Sequence, residues 1–179
     1  MITAEQSALI KTYIRDIPDF PKPGIVFKDI TPLMKDQAVF RLAVETIVER
    51  YKRFDIDLVV GIESRGFIFG APISYGLECG FIPVRKPGKL PYETRRQEYE
   101  LEYGTDALEM HVDAIETGSR ILIVDDLLAT GGTVSATTDL VRAAGGEVVE
   151  ATFLVELSFL GGRERVAAKG LDIFPLVTF

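Results

Sequence analysis

Short apolar segments alternate with helical segments along this chain, and this alternation constrains the fold more than any other feature. Residues 57–62, DLVVGI, form a β-branched apolar run typical of strands that are buried on both faces. Residues 66–80 follow with the character of a packed helix, and residues 81–85, FIPVR, predict the next strand. A second unit then repeats the order strand, helix and strand over residues 121–125, 132–144 and 147–155.

This order predicts an α/β fold in which a mostly parallel sheet is flanked by helices on both faces. Ligands of such sheets bind beyond the carboxyl ends of the strands. Three segments leave that edge and are the places to look for a binding site: GIESRGF (61–67), residues 86–98, and DDLLATGGT (125–133).

The segments outside these units have weaker patterns. Thr3 and Gln6 form a capping-box pattern, and apolar residues at helical spacing predict a helix that continues to Ile17. Residues 18–32 are predicted to be irregular, and Asp36 is predicted to cap a helix that runs to Tyr51.

The second half of the chain adds a predicted hairpin and a tail. Residues 86–98 lack apolar periodicity and are predicted to be a mobile loop. YELEY (99–103) and ALEMHV (107–112) predict two antiparallel strands that flank Gly104. The tail predicts a short helix near 162–169 and a last strand over 172–179.

Composition limits the class of protein. The chain has 179 residues, of which 47% are hydrophobic and 26% charged, which indicates one soluble domain spanning 1–179. No apolar run approaches the roughly 20 residues of a membrane span, and the N-terminal helix is too charged for a signal peptide. Cys79 is the single cysteine, so no internal disulfide forms and a cytoplasmic location is expected.

The net charge of −7 argues against binding to nucleic acid or to a membrane surface. An anionic substrate must therefore be held by local features. One such feature is a basic segment with a single acid, Glu93, and five cations: Arg85, Lys86, Lys89, Arg95 and Arg96.

The segment after the strand at 121–125 has the composition of a phosphate cradle. A loop that enters a helix exposes unpaired N–H groups, and the helix dipole favours an anion there. Gly131 and Gly132 allow close approach of a ligand, and Thr130 and Thr133 add hydroxyl donors. The alternative is a tight turn with a threonine cap.

Asp125 and Asp126 favour the first interpretation. Adjacent carboxylates repel each other unless donors or a cation lie between them, and vicinal ribose hydroxyls or Mg²⁺ supply these. A diol-binding acid pair followed by a phosphate cradle indicates a ribose 5-phosphate group as the ligand.

The pattern of strand, Asp-Asp, three residues and Thr-Gly-Gly-Thr resembles the 5-phosphoribosyl-1-pyrophosphate (PRPP) motif of the type I phosphoribosyltransferases. VDDLLATGGT, GIESRGF, FPKPGIVFKDITP and LEYG together resemble the members that act on adenine. The resemblance runs from about Phe20 to beyond residue 150. It implies a type I phosphoribosyltransferase fold with a small hood, and formation of AMP and pyrophosphate from adenine and PRPP in purine salvage.

The resemblance assigns the phosphate groups of PRPP. It implies that Ala129 and the cradle hold the 5-phosphate, and that Ser64 and Arg65 bind pyrophosphate next to a cis peptide near Glu63–Ser64. Residues 86–106 become a mobile loop that brings Lys86 and Lys89 to the pyrophosphate. A solvated basic loop is the alternative, which stays open for Arg95 and Arg96.

The resemblance also assigns the base and the proton transfer. Residues 1–35 contribute the base-binding hood, in which Phe27 stacks on adenine while backbone groups of Val26 and Lys28 read its edge. A simple hydrophobic latch is the alternative. Glu102 is the catalytic acid/base at N7, although a lone glutamate in such a strand is usually a solvated residue.

Mg²⁺ is the expected cofactor. It is expected to be held mainly through PRPP, and Asp125 and Asp126 are the candidate ligands from the protein. A homodimer is the expected assembly. Cys79 and His111 are interpreted as packing or surface residues, because no His/Cys cluster accompanies them. Two alternatives remain at this point. One is the same reaction on another base such as xanthine, and the other is a PRPP-sensing regulator that has lost the activity.

Overall fold

The computed structural model describes residues 2–100 and 105–179. The strands in this part of the chain are β1 (Arg15–Pro18), β2 (Val26–Asp29), β3 (Leu58–Ile62), β4 (Gly80–Val84), β5 (Thr94–Glu100), β6 (Thr105–His111), β7 (Arg120–Leu128), β8 (Glu147–Glu156) and β9 (Ile173–Thr178). The helices are α1 (Ala4–Thr12), α2 (Thr31–Lys35), α3 (Gln37–Tyr51), α4 (Arg65–Leu77), α5 (Gly132–Ala143) and α6 (Gly162–Ala167), with a 3₁₀ turn at Ser158–Leu160.

The central sheet has five strands in the order β4-β3-β7-β8-β9, and every neighbouring pair is parallel. Its side chains alternate between two cores. Leu122 and Val124 of β7 pack with α3 and α4 on one face, whereas Ile121 and Ile123 pack with α5 and the β5–β6 hairpin on the other. Burial on both faces explains why the strands have continuous apolar runs, and it confirms the predicted α/β architecture.

The N-terminal region differs from the prediction. Helix α1 keeps the predicted capping box at Thr3 and Gln6, but it ends at Thr12 and does not continue to Ile17. Ile17 instead lies in β1 and pairs with Phe27 of β2 in a small antiparallel sheet. The prediction of an irregular segment over 18–32 was wrong for Pro18, for Val26–Asp29 and for the start of α2, whereas residues 19–25 lie outside helices and strands. The predicted continuation of the first helix to Ile17 was wrong because pairing with β2 outweighs an apolar spacing that fits a helix equally well.

The segment 86–98 was predicted to be a loop, but residues from Thr94 onward form strand β5. This strand pairs antiparallel with β6, from Thr94 opposite His111 to Glu100 opposite Thr105. Its first residues are mostly exposed, so they carry no apolar alternation, and Leu108 and Met110 of β6 supply the buried side chains. Residues 101–104 of the predicted YELEY strand lie outside the described residues.

Strand β7 was predicted to end at Asp125, but it continues through both aspartates to Leu128. Its pairing with β3 ends at Val124, whereas its pairing with β8 continues as far as Leu128 opposite Glu156. The two acids therefore lie where β7 has a neighbour on one side. No helix within the described residues is long and apolar enough to cross a membrane.

Candidate active site

The turn between β7 and α5 has the geometry of an anion cradle. Gly131 precedes the helix at φ 78°, in the left-handed region, and within residues 2–100 and 105–179 no side-chain hydrogen bond caps the helix. The alternative of a threonine cap is therefore not what the chain adopts. A Cβ atom on Gly131 would lie 2.8 Å from the carbonyl oxygen of Gly162, so the turn requires glycine there. The N–H groups of the first turn of α5 are left to a ligand.

Asp125 and Asp126 form a buried acid pair beside this cradle. The backbone N–H of Asp126 donates to Oδ1 of Asp125 at 2.9 Å, and Asp126 is 6% exposed. Burial, followed by the charge of Asp126, raises the pKa of Asp125 well above its ordinary value. Burial also raises the pKa of Asp126, although Arg65 opposes this effect. The pair is therefore short of positive charge and favours a ligand that brings donors or a cation.

Arg65 is brought to the acid pair by the start of α4. Its Nε lies 2.8 Å from Oδ2 of Asp126. A Cβ atom on Gly66 would lie 2.8 Å from the carbonyl oxygen of Val124, so glycine allows α4 to start directly against β7. The preceding Glu63–Ser64 peptide is cis, as expected. Ser64 is exposed and makes no side-chain cap to α4, which leaves its hydroxyl at the same edge.

Phe27 of the hood faces the same group of residues. The guanidinium carbon of Arg65 lies 5.2 Å from the centroid of the Phe27 ring, and Phe20 packs edge-on against that ring at 5.3 Å. The Lys28 side chain is directed elsewhere, with Nζ 2.7 Å from Asp16. Val26 is 48% exposed, which places an apolar residue at the surface of the hood.

Lys86 and Lys89 are not in contact with Arg65 or Asp126 in the described structure. The Lys86 ammonium pairs with Asp106 and lies 3.1 Å from the Tyr99 hydroxyl. Burial opposes its charge, but the hydrogen bonds to Asp106 and Tyr99 raise the pKa of Lys86 overall. The hydrogen bond from Lys86 in turn lowers the pKa of Asp106. The Lys89 side chain is exposed.

Glu102 lies outside the described residues, and its predicted role stays a prediction. The residues on either side of it can be located. Glu100 and Thr105 form the last described pair of the hairpin. A Cβ atom on Gly132 would lie 3.3 Å from Cδ2 of Tyr99 and 3.5 Å from the carbonyl oxygen of Glu100. Strand β5 therefore packs directly against the first residue of α5.

Two residues near the site were missed by the sequence interpretation. The Glu63 carboxylate accepts from the backbone N–H of Lys86 at 2.9 Å and links the ends of β3 and β4. Nη1 of Arg165, in α6, would lie 3.6 Å from a Cβ atom on Gly132. The signal for Arg165 is its place after β8, whose carboxyl end shares an edge with that of β7.

The remaining predictions concern metal and sulfur chemistry. Burial, followed by the charge of Asp57, raises the pKa of the half-buried Cys79 thiol, which fits a packing residue. His111 is half-buried and packs edge-on against Tyr92 at 5.9 Å. Among residues 2–100 and 105–179, no group of three metal-ligating side chains occurs. Asp125 and Asp126 offer carboxylate oxygens, which are the type of ligand that Mg²⁺ takes in proteins.

The chain matches known proteins over almost its whole length. Residues 31–170 match the model of the phosphoribosyl transferase domain. An adenine phosphoribosyltransferase of Citrobacter koseri is 55% identical over 177 residues, which cover 99% of this chain and 97% of that protein. The crystal structure of adenine phosphoribosyltransferase from Rhodothermus marinus superposes with a TM-score of 0.93 at 51% identity, covering 99% of this chain and 100% of that one.

A more distant structure was solved with ligands. The adenine phosphoribosyltransferase of Saccharomyces cerevisiae, complexed with adenine and an imino-altritol bisphosphate, has a TM-score of 0.90 at 38% identity, and the match covers 97% of this chain and 99% of that one. The family model, the full-length relatives and the solved structures all point to the same family. This chain therefore belongs to the phosphoribosyltransferase family, among its adenine phosphoribosyltransferases.

Proposed function

We propose that the chain transfers the 5-phosphoribosyl group of PRPP to N9 of adenine and releases pyrophosphate, so that it makes AMP in purine salvage. The observation that carries the proposal is the convergence of Arg65, Asp126 and Phe27 beside the 129–133 cradle. It unites a cation, a carboxylate and an aromatic face at one end of the sheet. PRPP and adenine together require these three kinds of group.

The ribose and the 5-phosphate are assigned to β7 and α5. The carboxylates of Asp125 and Asp126 accept hydrogen bonds from the vicinal hydroxyls of the ribose. Ala129 to Thr133 hold the 5-phosphate through backbone N–H groups and threonine hydroxyls. Support comes from the acid pair, whose raised pKa values indicate a shortage of donors and of positive charge.

The pyrophosphate is assigned to the start of α4 and to the basic loop. The guanidinium of Arg65 and the hydroxyl of Ser64 lie at the edge where pyrophosphate must leave, and Arg65 can offer two parallel N–H donors to it. Lys86 and Lys89 add charge when the loop moves towards the site. Since Lys86 pairs with Asp106, such a movement exchanges this carboxylate for a phosphate.

Adenine is assigned to the hood. Phe27 stacks on the ring, and backbone groups of Val26 and Lys28 read the base edge: a carbonyl accepts from the exocyclic amine and an N–H donates to a ring nitrogen. A 6-oxo purine offers the opposite pattern and leaves buried groups unpaired. The yeast relative, which was solved in complex with adenine, supports adenine as the base.

Positioning and charge stabilisation carry the reaction. The bond between C1 and the pyrophosphate oxygen breaks as the bond between C1 and N9 forms, and positive charge develops on the ribose near the two aspartates. Glu102 accepts the proton of N7 as N9 bonds to C1, so that the base is neutral in the product AMP. The hairpin that leads to Glu102 packs on Gly132, which supports a carboxylate close to the cradle.

Mg²⁺ is the proposed cofactor. When bound, it neutralises charge on the pyrophosphate and orients the oxygens of PRPP. Asp125 and Asp126 are the residues that would contribute from the protein, and the substrate would supply the remaining oxygens. A homodimer in the cytoplasm is the proposed assembly and location, by analogy with the family.

Base specificity tests the proposal. Initial rates are measured with saturating PRPP and Mg²⁺ on adenine, hypoxanthine, guanine and xanthine in turn. Adenine should be used at least about 10⁴-fold more efficiently than the 6-oxo purines, because a site that hydrogen-bonds the base edge discriminates to that degree. Efficient use of a 6-oxo purine instead would reject the assignment of the hood.

A further inference from the structure

We infer that Arg165 binds the 5-phosphate of the phosphoribosyl substrate and supplies positive charge that the cradle itself lacks. The inference rests on the proposed function, because it concerns the same 5-phosphate site.

The charges at the cradle require such a residue. A phosphate monoester carries about −1.5 to −2 charges near pH 7. Residues 129–133, ATGGT, contain no basic side chain, and the acid pair at Asp125 and Asp126 lies immediately before them. Arg65 forms an ion pair with Asp126, so its positive charge is already balanced by that carboxylate. The helix dipole offers about half a charge, which leaves most of the phosphate charge unbalanced.

Arg165 lies where that charge is needed. Its Nη1 would be 3.6 Å from a Cβ atom on Gly132, which is the first residue of α5. A guanidinium at this distance from the first helical residue is within hydrogen-bond reach of an anion bound to the N–H groups of the same turn.

The backbone of α6 is fixed against the cradle. Gly162, at the start of α6, touches the carbonyl oxygen of Ala129 so closely that any side chain there would collide with it. Val166, one residue after Arg165, is 1% exposed and anchors the helix in the core. The arginine therefore extends from a rigid support, which reduces the entropy lost on binding a ligand.

The neighbouring cations in α6 and just after it are already paired, whereas Arg165 has no partner among the described residues. Arg163 makes two hydrogen bonds of 2.7 Å to Glu156, and Lys169 lies 2.6 Å from Asp139. The side chain of Arg165 is exposed and has no hydrogen bond or ion pair within the part of the chain that the structure describes. Of these three cations, Arg165 has its charge available for a substrate.

The test compares Arg165→Met with Arg53→Met by calorimetry and steady-state kinetics. Arg53 is a matched control, because it is an exposed arginine between α3 and β3, at the opposite edge of the sheet. Arg165→Met should weaken ribose 5-phosphate binding by about 10-fold or more, the usual worth of a hydrogen bond to a charged group. The KM for PRPP should rise by a similar factor with kcat nearly unchanged. The affinity for adenine and for pyrophosphate should stay at the wild-type level, as should every parameter of Arg53→Met.

Arg165→Lys separates charge from folding, since it should keep most of the ribose 5-phosphate affinity at an unchanged Tm. Wild-type affinity of Arg165→Met for ribose 5-phosphate would overturn the inference, and so would an equal loss of pyrophosphate binding, which would indicate a distorted site. Failure of the wild-type protein to bind ribose 5-phosphate would instead count against the proposed function.

Discussion

Nε of Arg65 lies 2.8 Å from Oδ2 of Asp126, so the cation assigned to pyrophosphate and a carboxylate assigned to ribose are in direct contact. Asp125, the other member of the acid pair, lies where its ionised form is more strongly disfavoured. Burial and the charge of Asp126 raise its pKa well above the ordinary value. The two aspartates are therefore predicted to respond differently to removal of their charge.

Asp125→Asn should raise the Tm of the protein at pH 7 by roughly 2–4 °C, the shift that about 1 kcal/mol causes in a chain of this size. A raised pKa means that the folded state binds the proton more tightly, so the cost of ionisation is present at neutral pH. This cost disappears as pH falls towards 3.8, the ordinary pKa of an aspartate, and the Tm values of parent and variant should converge there. A gap that is constant with pH would contradict this explanation.

Asp126→Asn should shift the Tm at pH 7 less than Asp125→Asn does, because the relief from burying the Asp126 charge is offset by loss of the ion pair with Arg65. The double variant, with asparagine at 125 and 126, should stay folded but lose tight PRPP binding in calorimetry. Parental PRPP affinity in the double variant would show that the ribose assignment is wrong.

Glu102→Gln should lower kcat by about 10²–10⁴-fold, the usual contribution of general acid/base catalysis, with PRPP binding nearly unchanged. Glu100→Gln is the matched control, because Glu100 is an exposed glutamate two residues earlier in β5. Its kcat should stay within a factor of about two of the parent, as expected for an exposed site. If both variants turn over at the parental rate, Glu102 has no catalytic role.

Amide hydrogen exchange should divide the basic segment in two. Residues 94–98 pair with β6 and should be protected with or without ligand. Residues 87–93 precede the strand. Their amide hydrogens should exchange rapidly in the protein without ligand and more slowly when PRPP and Mg²⁺ are bound. Unchanged exchange over 87–93 on addition of saturating ligand would remove the closing loop from the mechanism.

Asp29→Asn should destabilise the hood in a pH-dependent way. Hydrogen bonds from Thr31, followed by Arg15, lower the pKa of Asp29 from 3.8 to about 2. A lowered pKa contributes stability above pH 3.8, and this stability is lost as pH falls through about 2. The Tm of Asp29→Asn should therefore be lower than that of the parent at pH 6, and the two Tm values should be similar near pH 2.

Asp16→Asn is the control for this experiment, because it removes an exposed acid from the facing strand β1. Its Tm should follow that of the parent at each pH, since exposed ion pairs contribute little. A pH-independent deficit in Asp29→Asn would show that packing, rather than ionisation, is responsible.

The parts of the fold that were predictable are those set by local pattern. Buried parallel strands such as β3 and helices with capping residues such as Asp36 have distinct sequence signals. The cradle was also predictable, because Gly131 and Gly132 serve a local turn. The part of β5 before Tyr99 was not predicted, since its stability comes from distant pairing with β6 and its own residues are mostly polar.

The ends of elements and the cross-chain contacts of the site were harder to predict. Ile14 and Ile17 are three residues apart, which fits a helix or a chain that turns into a strand, and pairing with β2 decides between them. Likewise, the nearness of Arg165 to Gly132 depends on how α6 packs after β8. Such a contact is a property of the folded chain, and its signal in the sequence is indirect, namely the place of Arg165 after β8.

Turnover of adenine with PRPP tests the central claim most directly. Purified protein is incubated with adenine, PRPP and Mg²⁺, and AMP and pyrophosphate are quantified over time, with the 125/126 double variant as the matched control. The account predicts equal amounts of AMP and pyrophosphate from the parent and almost none from the double variant. Absence of AMP with the parent protein, or equal AMP formation by both proteins, would contradict it.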